Sequence, residues 1–107
     1  MSASEPFAKV RAGKTPPGST DWKVYSPDGI YVDVDTSAAS FKGDVFYTCS
    51  LAGVSSHWVT TGGSCIYNPT SKGFRVYVRY TGPITPQVAN NNKWHIQWVG
   101  VELIYPT

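Results

Sequence analysis

The chain has 107 residues, the length of a single domain. Hydrophobic residues make up 41% and charged residues only 15%, against about 25% charged in an average globular domain. That is too apolar for a disordered tail, and a net charge of +2 without a basic cluster excludes a nucleic-acid partner. No apolar run nears the ~20 residues of a membrane span, so no membrane insertion is expected. The first twenty residues hold no stretch of signal-peptide length. The compartment stays open, an extracellular or surface-attached setting included. A low charge count also leaves room for burial against partner chains.

In chain order, residues 1–8 are expected to be a flexible N-terminal arm of one domain spanning 1–107. Lys9–Lys14 reads as a short strand, followed by the Pro-Pro-Gly stretch Thr15–Thr20. Ser26-Pro27-Asp28-Gly29 is a turn, because Pro fixes φ and Gly accepts a positive one. Ile30, Val32 and Val34 then alternate with Tyr31, Asp33 and Asp35, one apolar face against one polar face. Val45, Tyr47, Cys49 and Leu51 alternate with Phe46, Thr48 and Ser50. After Thr61-Gly62-Gly63 and the turn-rich Asn68–Gly73, Phe74, Val76, Val78 and Tyr80 alternate with Arg75, Tyr77 and Arg79. Gly82–Asn92 reads as a long loop with two Pro and three consecutive Asn. In the last segment Ile96 and Trp98 share one parity while Val99, Val101 and Leu103 share the other, so both faces of that strand are expected to be covered. Six or seven such strands with almost no helix read as an antiparallel β-sandwich.

Catalytic chemistry finds little support. His57 and His95 are the two histidines, and no Gly-x-Ser-x-Gly elbow is present. Asp33 and Asp35 share a strand face and could hold calcium or serve as an acid and base, but a solvated face is the better reading. Glu102 is expected to pair with Arg75 or Arg79. Cys49 and Cys65 lack metal spacing and are expected on separate strands as unbridged thiols. No enzyme, cofactor or metal is expected. Aromatic and amide residues are more suggestive: His57-Trp58, Asn90 to Asn92, and Lys93-Trp94-His95 flank loops. Sugar sites pair an aromatic face with fixed polar groups, a form of the mostly apolar pocket with a few placed polar atoms.

Several segments together resemble the H-type lectins, the domain of snail agglutinin and of the C-terminal half of discoidins. The resemblance covers roughly residues 9 to 105. Lys9-Val10-Arg11-Ala12-Gly13-Lys14 is similar to the family's opening strand, and Trp22 and Phe41 fall on family aromatics. Cys65–Phe74 resembles its strand, turn and Gly-Phe, and His95–Glu102 its closing strand with Trp98. The resemblance implies a six-stranded antiparallel sandwich, a homotrimer packed about a threefold axis, and galactose or N-acetylgalactosamine bound between protomers. The family's acidic loop residue corresponds to Asp28, beside Gly29. Its arginine falls on Thr61, and its Trp-His pair on Thr81 and Gly82.

The trimer is expected through the last strand, at Val99, Val101 and Leu103. A glycan is expected where the Ser26–Gly29 turn, the His57–Thr61 segment and the Gly82–Asn92 loop approach, contacting Asp28, Gly29, His57, Trp58, Thr61, Asn91, Asn92 and Trp94. The reading is a carbohydrate-binding, adhesive module with a rebuilt cleft. The alternative is a structural trimerisation head of a fibre or surface protein, in which the core persists and the sugar-contacting Arg and Trp are lost.

Overall fold

The structure, a computed structural model, describes residues 7–105. Its strands are β1 (Phe7–Lys14), β2 (Lys23–Ser26), β3 (Gly29–Asp35), β4 (Val45–Ala52), β5 (Tyr67–Thr70), β6 (Gly73–Arg79) and β7 (His95–Ile104), with helix α1 (Pro86–Asn91) before β7. Two antiparallel sheets result, one ordered β1-β7-β4 and one β2-β3-β6-β5. The class is all-β, as expected, but the described residues form seven strands rather than six.

Alternation decides what each sheet buries. Ile30, Val32 and Val34 from β3 and Phe74, Val76 and Val78 from β6 point into one core, where they meet Ile96 and Trp98 from β7 and Tyr47 from β4. Each such side chain contributes about 1.5–3 kcal/mol on full burial. The Tyr47 hydroxyl lies 2.8 Å from Thr36 Oγ1 and donates to the Thr70 carbonyl, so a β4 side chain is tied to the ends of β3 and β5. The opposite parity of β7 faces outward. There Val99 lies between Ala12 and Thr48, and Val101 between Val10 and Phe46. Val10, Phe46 and Val99 are exposed, giving this sheet an apolar outer surface.

Several expectations need correction. Gly82–Asn92 is not all loop: Pro86–Asn91 is helical. Thr85 Oγ1 caps it by accepting from Val88 N, and Pro86 occupies the first turn, where a missing N–H costs nothing. Two 3-10 turns, Ser37–Ala39 and His57–Val59, add to the helical content. Phe7 and Ala8 belong to β1 and not to an arm, while residues 1–6 lie outside the described residues. Glu102 pairs with neither Arg75 nor Arg79. It is buried, and its carboxylate accepts from Lys42 N at 2.7 Å and Gly43 N at 2.9 Å, fixing the loop before β4. Cys65 lies on the segment before β5, not on a strand. Both thiols are free, and burial pushes that of Cys49 up to about 11.

Gly62 combines two constraints that exclude a side chain. It sits at φ +93°, and a Cβ there would press on the Tyr77 carbonyl. Gly43 and Gly82 have open space around them. In urea unfolding, Gly62→Ala should therefore lose more than ~1 kcal/mol, while Gly43→Ala and Gly82→Ala stay within about 0.5 kcal/mol of the parent. Equal stability of the three variants would contradict this geometry.

Candidate functional site

The outer face of the β2-β3-β6-β5 sheet carries what the core rejects. Strand register sets out its side chains in rows across the strands. Tyr31 of β3 stands opposite Lys23 and Tyr77, Asp33 opposite Arg75, and Tyr67 of β5 also opposite Arg75. The Arg75 guanidinium grips Asp33 with two bonds, Nε to Oδ1 at 2.6 Å and Nη2 to Oδ2 at 3.0 Å. It also lies 4.3 Å from the Tyr31 ring centroid and donates to the Tyr77 hydroxyl at 3.2 Å. The hydrogen bond from Arg75 holds the Asp33 carboxyl below its ordinary pKa.

Tyr77 is the hub of an aromatic cluster. Tyr25 meets it edge-on at 4.9 Å between centroids, Tyr67 at 5.1 Å, and Tyr31 lies tilted at 5.6 Å. Tyr25 is 64% exposed and Tyr67 48%, so their rings stand partly free. These three rings, Tyr25, Tyr67 and Tyr77, line a cavity of about 190 Å³ together with Ser26, Gly29, Thr61 and Arg79.

One corner of this cavity matches part of the expected site. Ser26 Oγ donates to Asp28 Oδ1 at 2.8 Å, which orients the carboxylate inside the β2–β3 turn. Arg79 Nε lies 3.6 Å from Asp28 Oδ2. Thr61 and Arg79 exchange both backbone hydrogen bonds at 3.0 Å, an isolated bridge that brings the 57–61 segment to the end of β6. The Tyr80 N–H donates to the Asp28 carbonyl and the Ile84 N–H to that of Pro27, so the chain leading to α1 packs on the same turn. Gly29 and Thr61 thus line one cavity with Arg79 and three tyrosines, and Asp28 reaches its edge through Ser26 and Arg79.

The remaining expected residues lie elsewhere. Trp94 is completely buried. Its indole donates to the Ser55 carbonyl at 2.7 Å, its own carbonyl accepts from Trp22 Nε1, and Tyr80 packs against it. It is a core residue and offers no face to a ligand. Asn92 closes α1, with its amide and carboxamide both donating to the Val88 carbonyl, and its carbonyl accepts from Val54 N. Asn91 is exposed on the last turn of α1. His57 opens a 3-10 turn, with its Nδ1 buried and without a partner. Trp58 follows it at 86% exposure, the most exposed large apolar side chain among the described residues.

Tyr25, Tyr67, Tyr77 and Arg79 were not among the expected contacts. The alternation already sets Tyr77 and Arg79 opposite the apolar face of their strand, and that was the available signal. Among the described residues no three His, Cys, Asp or Glu side chains gather as metal ligands, and no helix is long and apolar enough to cross a membrane. Comparison with protein-family models, with curated proteins and with solved structures finds no match to this chain.

The Asp33–Arg75 pair makes a pH-dependent prediction. A carboxyl whose folded pKa is depressed stabilises fully above its ordinary value, and that stabilisation is lost as pH falls through the folded one. Asp33 is more than half exposed, so the effect stays below ~1 kcal/mol. The stability gap between the parent and Asp33→Asn should be largest near neutral pH and close as pH falls toward ~2. Urea midpoints measured across that range check it, and a gap that does not change with pH would contradict the pairing.

Proposed function

We propose that this chain is a carbohydrate-binding module of the H-type lectin kind, a β-sandwich that assembles as a homotrimer. Its ligand is a galactose-type, N-acetylgalactosamine-type or other glycan. The observation that carries the reading is the Asp28–Arg79 corner over the tyrosine-walled cavity. The resemblance gave an acidic residue at 28 but lost its arginine at Thr61. Arg79 stands directly across the bridge from Thr61, so a guanidinium is supplied from the neighbouring strand.

The chemistry suits a sugar. A carboxylate held by Ser26 accepts from two hydroxyls, and charge-assisted bonds of this type are stronger than neutral ones. The guanidinium donates to the ring or a neighbouring hydroxyl oxygen. Tyrosine rings present flat faces to the apolar C–H patch of a pyranose while their hydroxyls stay wet. Binding without turnover is the proposed role.

The trimer is proposed through the outer face of β1-β7-β4, where Val99, Val101 and Leu103 lie beside Val10 and Phe46. That same exposed apolar surface favours the second reading, a structural trimerisation head without sugar binding.

A glycan array, with light scattering on the same sample, separates the two. Asp28→Ala and Arg79→Ala should each weaken glycan binding roughly ten- to a hundredfold, the loss expected for a charged hydrogen-bond partner, and leave the oligomer intact. Val101→Glu should dissociate the trimer by placing like charges near one axis. A trimer that binds no glycan would leave the structural reading; a monomer at micromolar concentration would reject both assemblies.

A further inference from the structure

We propose that the glycan site accepts an extended, neutral chain laid along β6, rather than a terminal sugar alone. This rests on the carbohydrate reading above and adds the class of ligand.

The cavity at Gly29 and Arg79 is one of two along β3 and β6. A second, of about 320 Å³, lies at the other end of β6 and β3, lined by Asp33, Asp35, Asn68, Thr70, Lys72 and Arg75 among others. The register gives the distance between them. Arg79 opposes Gly29, Tyr77 opposes Tyr31, Arg75 opposes Asp33, and Gly73 opposes Asp35. Rows on one face recur every second residue, about 6.7 Å apart, so the face runs for about 20 Å. That is several linked pyranoses and far more than one.

The two cavities adjoin. Tyr67 borders the first cavity, and its strand partner Arg75 borders the second. Arg75 lies over the Tyr31 ring and its Nη1 donates to the Tyr77 hydroxyl at 3.2 Å, so a residue of the second cavity touches one that walls the first. A single sugar in the first cavity would leave the adjoining second cavity in water.

Charge decides the kind of chain. Arg75 is bound to Asp33, Arg79 lies beside Asp28, and Lys23 is bound to Asp21 at 2.9 Å. At the far end Lys72 and Asp35 border the same cavity. The outward charges are basic on β6 and acidic on β3 and its turn, and they cancel in pairs across the two strands, Arg75 with Asp33 and Arg79 with Asp28. An anionic glycan or a nucleic acid meets no matching field here. A neutral, polyhydroxylated chain meets both donors and acceptors along its length.

The test is calorimetric titration of the full chain with mono-, di-, tetra- and hexasaccharides of neutral cello-, xylo-, manno- and galacto- series. In the series that binds, affinity should rise by roughly tenfold or more from monosaccharide to hexasaccharide and level off there. Lys72→Ala, in the second cavity alone, should flatten that rise, while Tyr67→Ala and Asp28→Ala, at the first, should weaken short and long ligands alike. A monosaccharide bound as tightly as the hexasaccharide overturns the extended site and leaves the carbohydrate reading standing. Binding of none of them overturns both. Displacement of the hexasaccharide by a proline-rich peptide, or protection of Tyr67 only in the oligomer, would assign the face to a protein partner or a second copy and overturn the proposal.

Discussion

Strict alternation along β3 and β6 is the constraint on which the rest of this molecule depends. Successive side chains on a strand point to opposite faces, so burying Ile30, Val32 and Val34 obliges Tyr31, Asp33 and Asp35 to face outward. The same holds for Phe74, Val76 and Val78 against Arg75, Tyr77 and Arg79. A register slip of one residue would bring Asp33 and Arg75 into the core and expose six apolar side chains. Burial at about 1.5–3 kcal/mol per side chain outweighs a surface ion pair of at most about 1 kcal/mol, so the core fixes the register and the Asp33–Arg75 pair follows from it.

The two sheets spend their outer parities differently. On β1-β7-β4 the outward residues are mostly small or apolar, with Phe46 opposite Val101 and Thr48 opposite Val99, and turn polar at Lys14, Ser50 and Gln97. On β2-β3-β6-β5 they are tyrosines and paired charges, cross-linked through Arg75. The first surface gains by leaving water against another apolar surface. The second is already satisfied in its charges and keeps aromatic faces available, which suits a ligand that brings both hydroxyls and C–H patches. The proposed assembly and the proposed glycan face are therefore on opposite sides of one core, a departure from the resemblance, which implies a glycan between protomers.

Much of the fold was legible in the sequence because alternation is a strong signal in β3, β6 and β7. Where it failed, a local rule was masked. Thr85-Pro86 is a helix start, with a capping hydroxyl followed by a proline in the first turn, but the surrounding prolines and asparagines read as loop. Asn68-Pro69 read as a turn, yet Pro69 lies within β5, an edge strand that pairs only through Tyr67 and Thr70 and so loses no ladder bond to the proline. The site was half legible. Asp28, beside Gly29, and Thr61 were pointed to by the resemblance, through its acidic loop residue and its arginine position. Trp94 was misplaced because an indole beside a loop looks the same in sequence whether its ring points out or, as here, donates to Ser55 from inside the core. Arg79 was missed because its approach to Thr61 and Asp28 depends on a bridge between segments far apart in the chain.

The central claim is that the tyrosine face, and not the apolar face behind it, meets the ligand. Tyrosine ring and methyl resonances followed by NMR during titration with the tightest-binding glycan from an array address it directly. The expected result is movement of the Tyr25, Tyr67 and Tyr77 ring signals, with the methyls of Val10, Val99 and Val101 unmoved. Movement of those valine methyls with the tyrosine rings unchanged would contradict it.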